Sequence, residues 1–250
     1  MTDTLAPAAV AAHLSGRFGK PYLYEPECES TQQLLIGSGL PEGAVAATDH
    51  QTDGRGRLGR TWEEPAGSSV LVSVLLGPAP DRRLPEISLV TALAVAETVE
   101  ATVVLAAQVK WPNDVMLNRR KVAGILSELS DGTVVVGIGI NVNQTREELP
   151  RDSPTEPASL RTATGTTYDR AALLGTSLGR LERMYDLWLE QGLDGVYGGL
   201  GARDFLRGRR ITADGEAATA IQILRDGRLE IETDAGEVKA LESGEVLFER

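Results

Sequence analysis

The sequence predicts an α+β protein with a small all-β unit at its C-terminal end. Three observations carry this. Strand-like apolar runs and two long helical patterns share the chain up to about residue 192. After Arg207 the pattern changes to short strands punctuated by Asp214-Gly215, Asp226-Gly227 and Ala235-Gly236, dipeptides suited to hairpin turns. Finally, 250 residues at 42% hydrophobic content suffice for one sizeable core and a smaller second unit. The boundary is placed at 204/205, with residues 1–23 as an N-terminal extension of the first unit.

The elements follow in order. Ala8 to Leu14 is alanine-rich and reads as a short helix. Ser30 and Gln33 have the spacing of a capping box, which predicts a helix from Ser30 to Ile36 stopped by Gly37 and Gly39. Ala44 to Thr48 and Ser69 to Leu76 are apolar runs of strand length. Leu84 to Ala101 carries apolar residues in every turn and reads as a long, largely buried helix. Gln108–Trp111, Val115–Leu117, Val122–Leu129 and Val134–Ile140 read as successive strands, the last two joined by a tight turn at Asp131-Gly132. Residues 145–167 are rich in Pro, Thr and charge and read as a surface connection. From Tyr168 to Gly192, Leu174, Leu178, Leu181, Tyr185 and Trp188 recur at helical spacing, a core-facing stripe. Ile211, Ala220–Leu224, Leu229–Thr233 and Val246–Phe248 are the strands of the C-terminal unit.

Bulk chemistry narrows the function. Lys and Arg number 25 against 36 Asp and Glu, a formal net charge of −11, which repels nucleic acid at long range. The single cysteine, Cys28, excludes an intrachain disulfide and fits a reducing cytoplasm. Two histidines and one cysteine argue against a structural zinc site. No run approaches the roughly 18 apolar residues of a membrane span.

Against this acidic background, Gly54-Arg55-Gly56-Arg57-Leu58-Gly59-Arg60 stands out, introduced by His50-Gln51-Thr52-Asp53 and followed by Thr61-Trp62. Glycine lets backbone approach a ligand closely, and arginine offers a planar fork of donors for carboxylate or phosphate. The segment reads as a loop that closes over an anion. Lys110-Trp111-Pro112-Asn113-Asp114 places a cation, an amide and a carboxylate in one turn at a strand end; a polar turn around a buried tryptophan is an equal reading. Lys121-Val122-Ala123-Gly124-Ile125-Leu126-Ser127-Glu128 opens an otherwise apolar strand with a lysine and places a glycine inside it; taken alone, a solvated lysine is the simpler reading. In Gly137-Ile138-Gly139-Ile140-Asn141-Val142-Asn143, two glycines clear one strand face and leave a slot for something flat. Neither a dinucleotide fingerprint nor a Walker motif is present.

These segments, in this order, resemble the biotin–protein ligase family: Ser30-Thr31, HQTDGRGRLGRTW, KWPND, KVAGILSE and GIGINVN, over residues 24 to 143. The resemblance implies a mixed central sheet flanked by helices, of the class II synthetase-like kind, and an SH3-like barrel at the C-terminus. It implies activation of biotin with ATP to biotinyl-5'-AMP, then transfer to a lysine of a biotin carboxyl carrier domain, that of acetyl-CoA carboxylase or of a related carboxylase. By matching, Lys121, Asp114, Arg55 and Arg57 take the catalytic roles. Ser30, Thr31, Gln32, Gln51, Gly54, Arg55, Gly56, Arg57, Lys121, Gly124 and Gly139 contact biotin. Arg57, Arg60, Trp62, Lys110, Asn113, Lys121 and Asn141 contact the nucleotide. Magnesium is expected with the triphosphate and not on protein ligands alone. Two positions depart from the family pattern. Gln32 stands where asparagine is usual, and Asp53 puts a negative charge beside the loop, explained here only as ordering it through Arg57 or Arg60. Asp114 either orients Lys121 or accepts a proton from the carrier lysine.

Only 29 residues precede Ser30, too few for the winged helix of repressor-type members, so ligation without operator or other nucleic-acid binding is expected. A cytoplasmic protein with no membrane association is expected as well. Homodimerisation through the central sheet occurs in the family, and the sequence carries no edge that decides it. A lipoate or octanoate ligase of the same fold and a non-catalytic biotin or nucleotide sensor are the competing readings.

Overall fold

The structure, a computed structural model, describes residues 3–78, 82–130 and 132–249. Chain order runs α1 (Pro7–Val10), β1 (Tyr22–Cys28), β2 (Val45–Gln51), β3 (Ser69–Leu76), α2 (Leu84–Val103), β4 (Ala107–Lys110), β5 (Asp114–Leu117), β6 (Arg120–Ser130) and β7 (Thr133–Asn141). Then follow α3 (Leu160–Thr164), α4 (Arg170–Gln191), α5 (Asp194–Arg203), β8 (Arg210–Ala213), β9 (Glu216–Ile223), β10 (Leu229–Thr233), β11 (Val238–Leu241) and β12 (Val246–Phe248).

The first seven strands form one mixed sheet in the order β1-β2-β3-β7-β6-β5-β4. Only β1 and β2 run parallel; the other neighbours are antiparallel. β3, SVLVSVLL, is buried along its whole length, apolar at every position but Ser69 and Ser73, as befits a central strand covered on both faces. The last five strands form a separate antiparallel sheet, β11-β10-β9-β8-β12.

The register decides where the core lies and where a cleft is left. In the β3–β7–β6 ladder, Leu71 sits opposite Gly139 and Gly139 opposite Gly124, while Ser73 sits opposite Gly137 and Gly137 opposite Leu126. Side chains alternate across a strand, so these residues share one face. The other face carries Val70, Val72, Val74, Ile138, Ile140, Ala123 and Ile125, which join α2 and α4 in the main apolar core. On the glycine face a smaller cluster of Leu35, Ala44, Ala46, Leu75 and Val135 covers one end of the sheet. Next to it three glycines leave the sheet bare.

The structure differs from several expectations. Residues 30–36 form a chain of turns and no helix. Their backbone makes isolated turns, with the N–H of Gln33 on the Ser30 carbonyl and those of Leu35 and Ile36 on the Gln32 carbonyl, and the Thr31 N–H goes to the Gln51 side chain at 2.9 Å. The N-terminal helix is α1 continued by one 3₁₀ turn, Ala11–His13. Residues 145–167 are no mere surface connection: Leu149, Ala158 and Leu160 are buried, and α3 begins at a capping box on Ser159. Strands β1 and β11 and helix α5 were not anticipated. Helix α5 holds four glycines in ten residues, and Gly199 lets it close on Leu93, where an added Cβ would lie 3.0 Å from a leucine methyl. Of the expected Asp131-Gly132 turn, Asp131 lies outside the described residues.

Candidate functional site

Gly124, Gly137 and Gly139 form the floor of a narrow cavity of about 50 Å³, walled by Ser30, Thr31, Gln32, Gln51, Arg55 and Trp62. The Trp62 ring occupies the slot. A Cβ on Gly139 would fall 2.7 Å from its ring carbons, and one on Gly124 would fall 3.1 Å from the ring and from Lys121 Nζ. The indole Nε1–H has no hydrogen-bond acceptor among the described residues. At the closed end, Gln51 Oε1 accepts from the Thr31 N–H at 2.9 Å and lies 3.3 Å from Thr31 Oγ1, which in turn is 2.7 Å from Ser73 Oγ. The longer arm of Gln32 has a structural consequence. Its carboxamide lies over Gly137 and donates to the carbonyls of Leu126 at 3.2 Å and Val135 at 3.4 Å.

The arginine loop is folded over the mouth. Arg55 bridges to Thr61, Gly56 N–H donates to the Arg60 carbonyl at 2.7 Å, and Trp62 N–H donates to that of Gly54 at 2.8 Å. Gly54 is indispensable here, because a Cβ would meet the Trp62 carbonyl at 2.4 Å. Arg57 donates to Asn113 Oδ1 at 3.1 Å and reaches the Gly244 carbonyl at 3.5 Å. Arg60 pairs with Glu245, so the C-terminal sheet supports the loop. Asp53 lies 3.9 Å from Arg55 Nε, so the expected ordering through Arg57 or Arg60 gives way to a local pair.

A second, larger cavity of about 660 Å³ adjoins the slot, lined by Arg57, Arg60, Lys110, Asn113, Asp114, Asn141, residues 150–155 and residues 244–247. Gly56, Arg57, Trp62, Asn113 and Lys121 line both compartments. At this junction Lys121 Nζ lies 2.6 Å from Asp114 Oδ1, with Lys110 Nζ 3.7 Å from the other carboxylate oxygen. Burial alone would push the Asp114 carboxyl up; Lys121, Lys110 and Arg57 outweigh it and hold it below the ordinary carboxylate range. Lys110 is lowered by burial and by Lys121, against the pull of Asp114. Burial also lowers Arg57. Asn113 donates to the Ile125 carbonyl at 2.8 Å, which fixes the amide that Arg57 meets. Asn141 is engaged within the protein, donating to Ala158 and accepting from Gln144.

Sequence reasoning missed one ionisable group beside the slot. Glu64 is buried, accepts from the Gln51 N–H at 3.1 Å and lies 3.3 Å from His50 Nδ1. Burial pushes its carboxyl up to about 7, against the opposing effects of Gln51 and His50. A folded-state pKa above the unfolded value means that the native state holds the proton more tightly. This contribution is full below the unfolded value and is lost as pH rises toward 7. Glu64→Gln is therefore expected to match the wild type near pH 5 and to exceed it at pH 8 by about 1–2 kcal/mol. Urea denaturation at the two pH values checks this; an equal difference at both refutes it.

Comparison with known proteins decides the family. Residues 27–144 match the Biotin/lipoate A/B protein ligase family. The biotin protein ligase from Aquifex aeolicus, solved with biotin and ATP, superposes with a TM-score of 0.83 at 32% identity, over 92% of this chain and 99% of that one. The chain belongs to the biotin/lipoate A/B protein ligase family. Among curated ligases of this family, the bifunctional ligase/repressor BirA of Bacillus spizizenii is 34% identical over 183 residues, 70% of this chain and 56% of that protein. The biotin–[acetyl-CoA-carboxylase] ligase of Mycobacterium tuberculosis is 38% identical over 117 residues, 45% of this chain and 44% of that protein. The chain spans about half the length of the curated relatives it matches.

In this family member the expected site residues from Ser30 to Asn141 line two joined compartments, except Gly54, which lines neither and packs against the Trp62 carbonyl instead. The additional lining comes from Gly137, Leu126, residues 150–155 and residues 244–247. Gly137 was visible as half of a two-glycine strand motif. The last two segments carry no local signal and reach the site only through the tertiary fold.

Proposed function

We propose that the chain activates biotin with ATP and transfers the biotinyl group to a lysine of a biotin carboxyl carrier domain. The observation that carries this reading is the junction: Lys121 and Arg57 line both the glycine-floored slot and the larger cavity. A carboxylate entering from one side and a triphosphate from the other meet at these two cations. Ser30, Thr31 and Gln51 set hydroxyls and an amide at the closed end, the chemistry a ureido ring needs. The glycine floor suits a flat ring system; the Trp62 ring rests on it in this structure and would move aside to cover a bound ring.

In the first step, a biotin carboxylate oxygen attacks the α-phosphorus, and the bond to the bridging oxygen breaks as pyrophosphate leaves with the electron pair. Lys121, Arg57 and Arg55 offset the repulsion between the two anions and the charge that grows at the α-phosphate. Arg60 and Lys110 face the nucleotide compartment. Magnesium would enter with ATP and offset the charge of its phosphates. In the second step, the neutral carrier amine attacks the acyl carbon, the C–O bond to phosphate breaks, AMP departs with the electron pair while Lys121 balances its charge, and the proton of the new amide nitrogen passes to water. Of the two roles open to Asp114, orienting Lys121 agrees with their 2.6 Å contact. The carrier domain of acetyl-CoA carboxylase is the proposed acceptor, in line with the names of the Mycobacterium and Paracoccus relatives. The reading covers ligation and not repression, in a cytoplasmic setting that the lone Cys28 fits.

Exchange of pyrophosphate into ATP, run with biotin and with lipoate, tests the reading: exchange with lipoate alone overturns it. The slot gives a second test. Gly139→Ala forces the Trp62 ring out of contact distance and is expected to raise the biotin KM about tenfold, in line with overpacking costs of about 1–3 kcal/mol. Trp111 and Trp188 are fully buried elsewhere, so a change in tryptophan emission reports on Trp62. An unchanged KM and spectrum refute the placement of the ring.

A further inference from the structure

The Glu64 carboxyl does a job that backbone does elsewhere in the sheet. β2 pairs with β3 only as far as Thr48 opposite Leu71, while its pairing with β1 continues to Gln51 opposite Cys28. Beyond Thr48 the returning chain at 64–67 runs beside β2 without forming a strand, with Gly67 N–H donating to the Asp49 carbonyl at 2.8 Å. The Gln51 N–H thus faces a gap in the ladder, and Glu64 Oε1 fills it at 3.1 Å. On its other side, the Gln51 side chain holds Thr31 through both the backbone N–H and the hydroxyl. With Oε1 so occupied, the polar group Gln51 has left for a ligand is its amide nitrogen, which lies over Gly54.

The carboxyl is costly where it stands. Its second oxygen is buried without a hydrogen-bond partner, and so is His50 Nδ1. A side chain that merely filled this space would be apolar, at lower cost to the fold. We propose that Glu64 is a positioning residue of the substrate pocket: by holding the Gln51 backbone it sets the Gln51–Thr31 pair against the head of the bound ring. The proposal rests on the assignment of the glycine slot to biotin.

Two variants of the full chain test it by pyrophosphate exchange. Glu64→Gln keeps an acceptor for the Gln51 N–H and is expected to hold the biotin KM within about twofold. Glu64→Leu removes the acceptor and is expected to raise the biotin KM about tenfold with kcat and the ATP KM within threefold, the scale of one lost hydrogen bond. An unchanged KM in Glu64→Leu, or an equal rise in both variants, overturns the proposal. Should Glu64→Leu fail to fold, Glu64→Ser withdraws the acceptor from reach and carries the same expectation. Absence of biotin-dependent exchange in the wild type is a different failure, that of the ligase reading. The proposal is then decided by hydrogen exchange at the Gln51 amide. At least tenfold faster exchange in the acceptor-less variant than in Glu64→Gln supports the positioning contact; equal protection overturns it.

Discussion

Lys121→Ala is expected to slow biotin-dependent exchange of pyrophosphate into ATP by about 10²–10³-fold, the scale on which a preorganised donor to developing charge contributes. Lys121 projects from β6 beside Gly124, where the missing side chain leaves room for its ammonium, 5.8 Å from the Trp62 ring centroid. From there it faces both compartments, so its loss removes the charge that lets a carboxylate approach a phosphate. Arg57 stays in place, pinned by Asn113, and accounts for residual activity. The fold is expected to survive, because Asp114 keeps Lys110 as its partner. Folded protein with near-normal turnover refutes the role assigned to Lys121.

How much of this was legible from sequence depends on the reach of each cause. β3 and α2 were readable because dense apolar patterns dictate burial locally. The β5–β6–β7 hairpins were readable from turn residues. Strand β1, Tyr22–Cys28, was not: it is a half-exposed edge strand with Pro26 and two glutamates, and its partner β2 lies about twenty residues on. Residues 30–36 have the capping-box pattern of a helix, yet they form turns, with Thr31 held by Gln51 and the Gln32 side chain by the carbonyls of Leu126 and Val135, contacts far away in sequence. The site divides in the same way. Lys121, Asp114, Asn113 and Arg57 sit in motifs that are modest singly and legible only as an ordered set resembling a known family. Glu64, two residues after Trp62, looks like one more surface acid until the departure of β2 from β3 buries it. Asp53 was read as a partner of Arg57 or Arg60, but those two arginines are drawn to Asn113, Gly244 and Glu245. The partners at 244 and 245 come from a sheet whose packing no motif predicts.

Asp114→Asn is expected to destabilise the protein by about 3 kcal/mol at pH 7, because a buried ion pair that loses one partner leaves uncompensated charge. Asp114 is 8% exposed and Lys110 6%, so water can replace little of what the carboxylate supplies. The asparagine has nearly the same shape and preserves the packing, which isolates charge from volume. Two ammonium groups, Lys110 and Lys121, would then face each other with no anion between them. Lys110 responds by releasing its proton: burial already lowers it, and without Asp114 it falls further below its unfolded value of about 10.4. In that window the unfolded chain binds more protons than the native one, so the stability of the variant rises with pH. The deficit relative to wild type is accordingly expected to shrink between pH 6 and pH 9, so that this variant, like Glu64→Gln, gains on the wild type as pH rises. Urea denaturation of both proteins across this range measures it. A deficit that stays constant with pH would show that Lys110 keeps its proton without Asp114, and that the carboxylate is not what holds the two lysines charged at the junction.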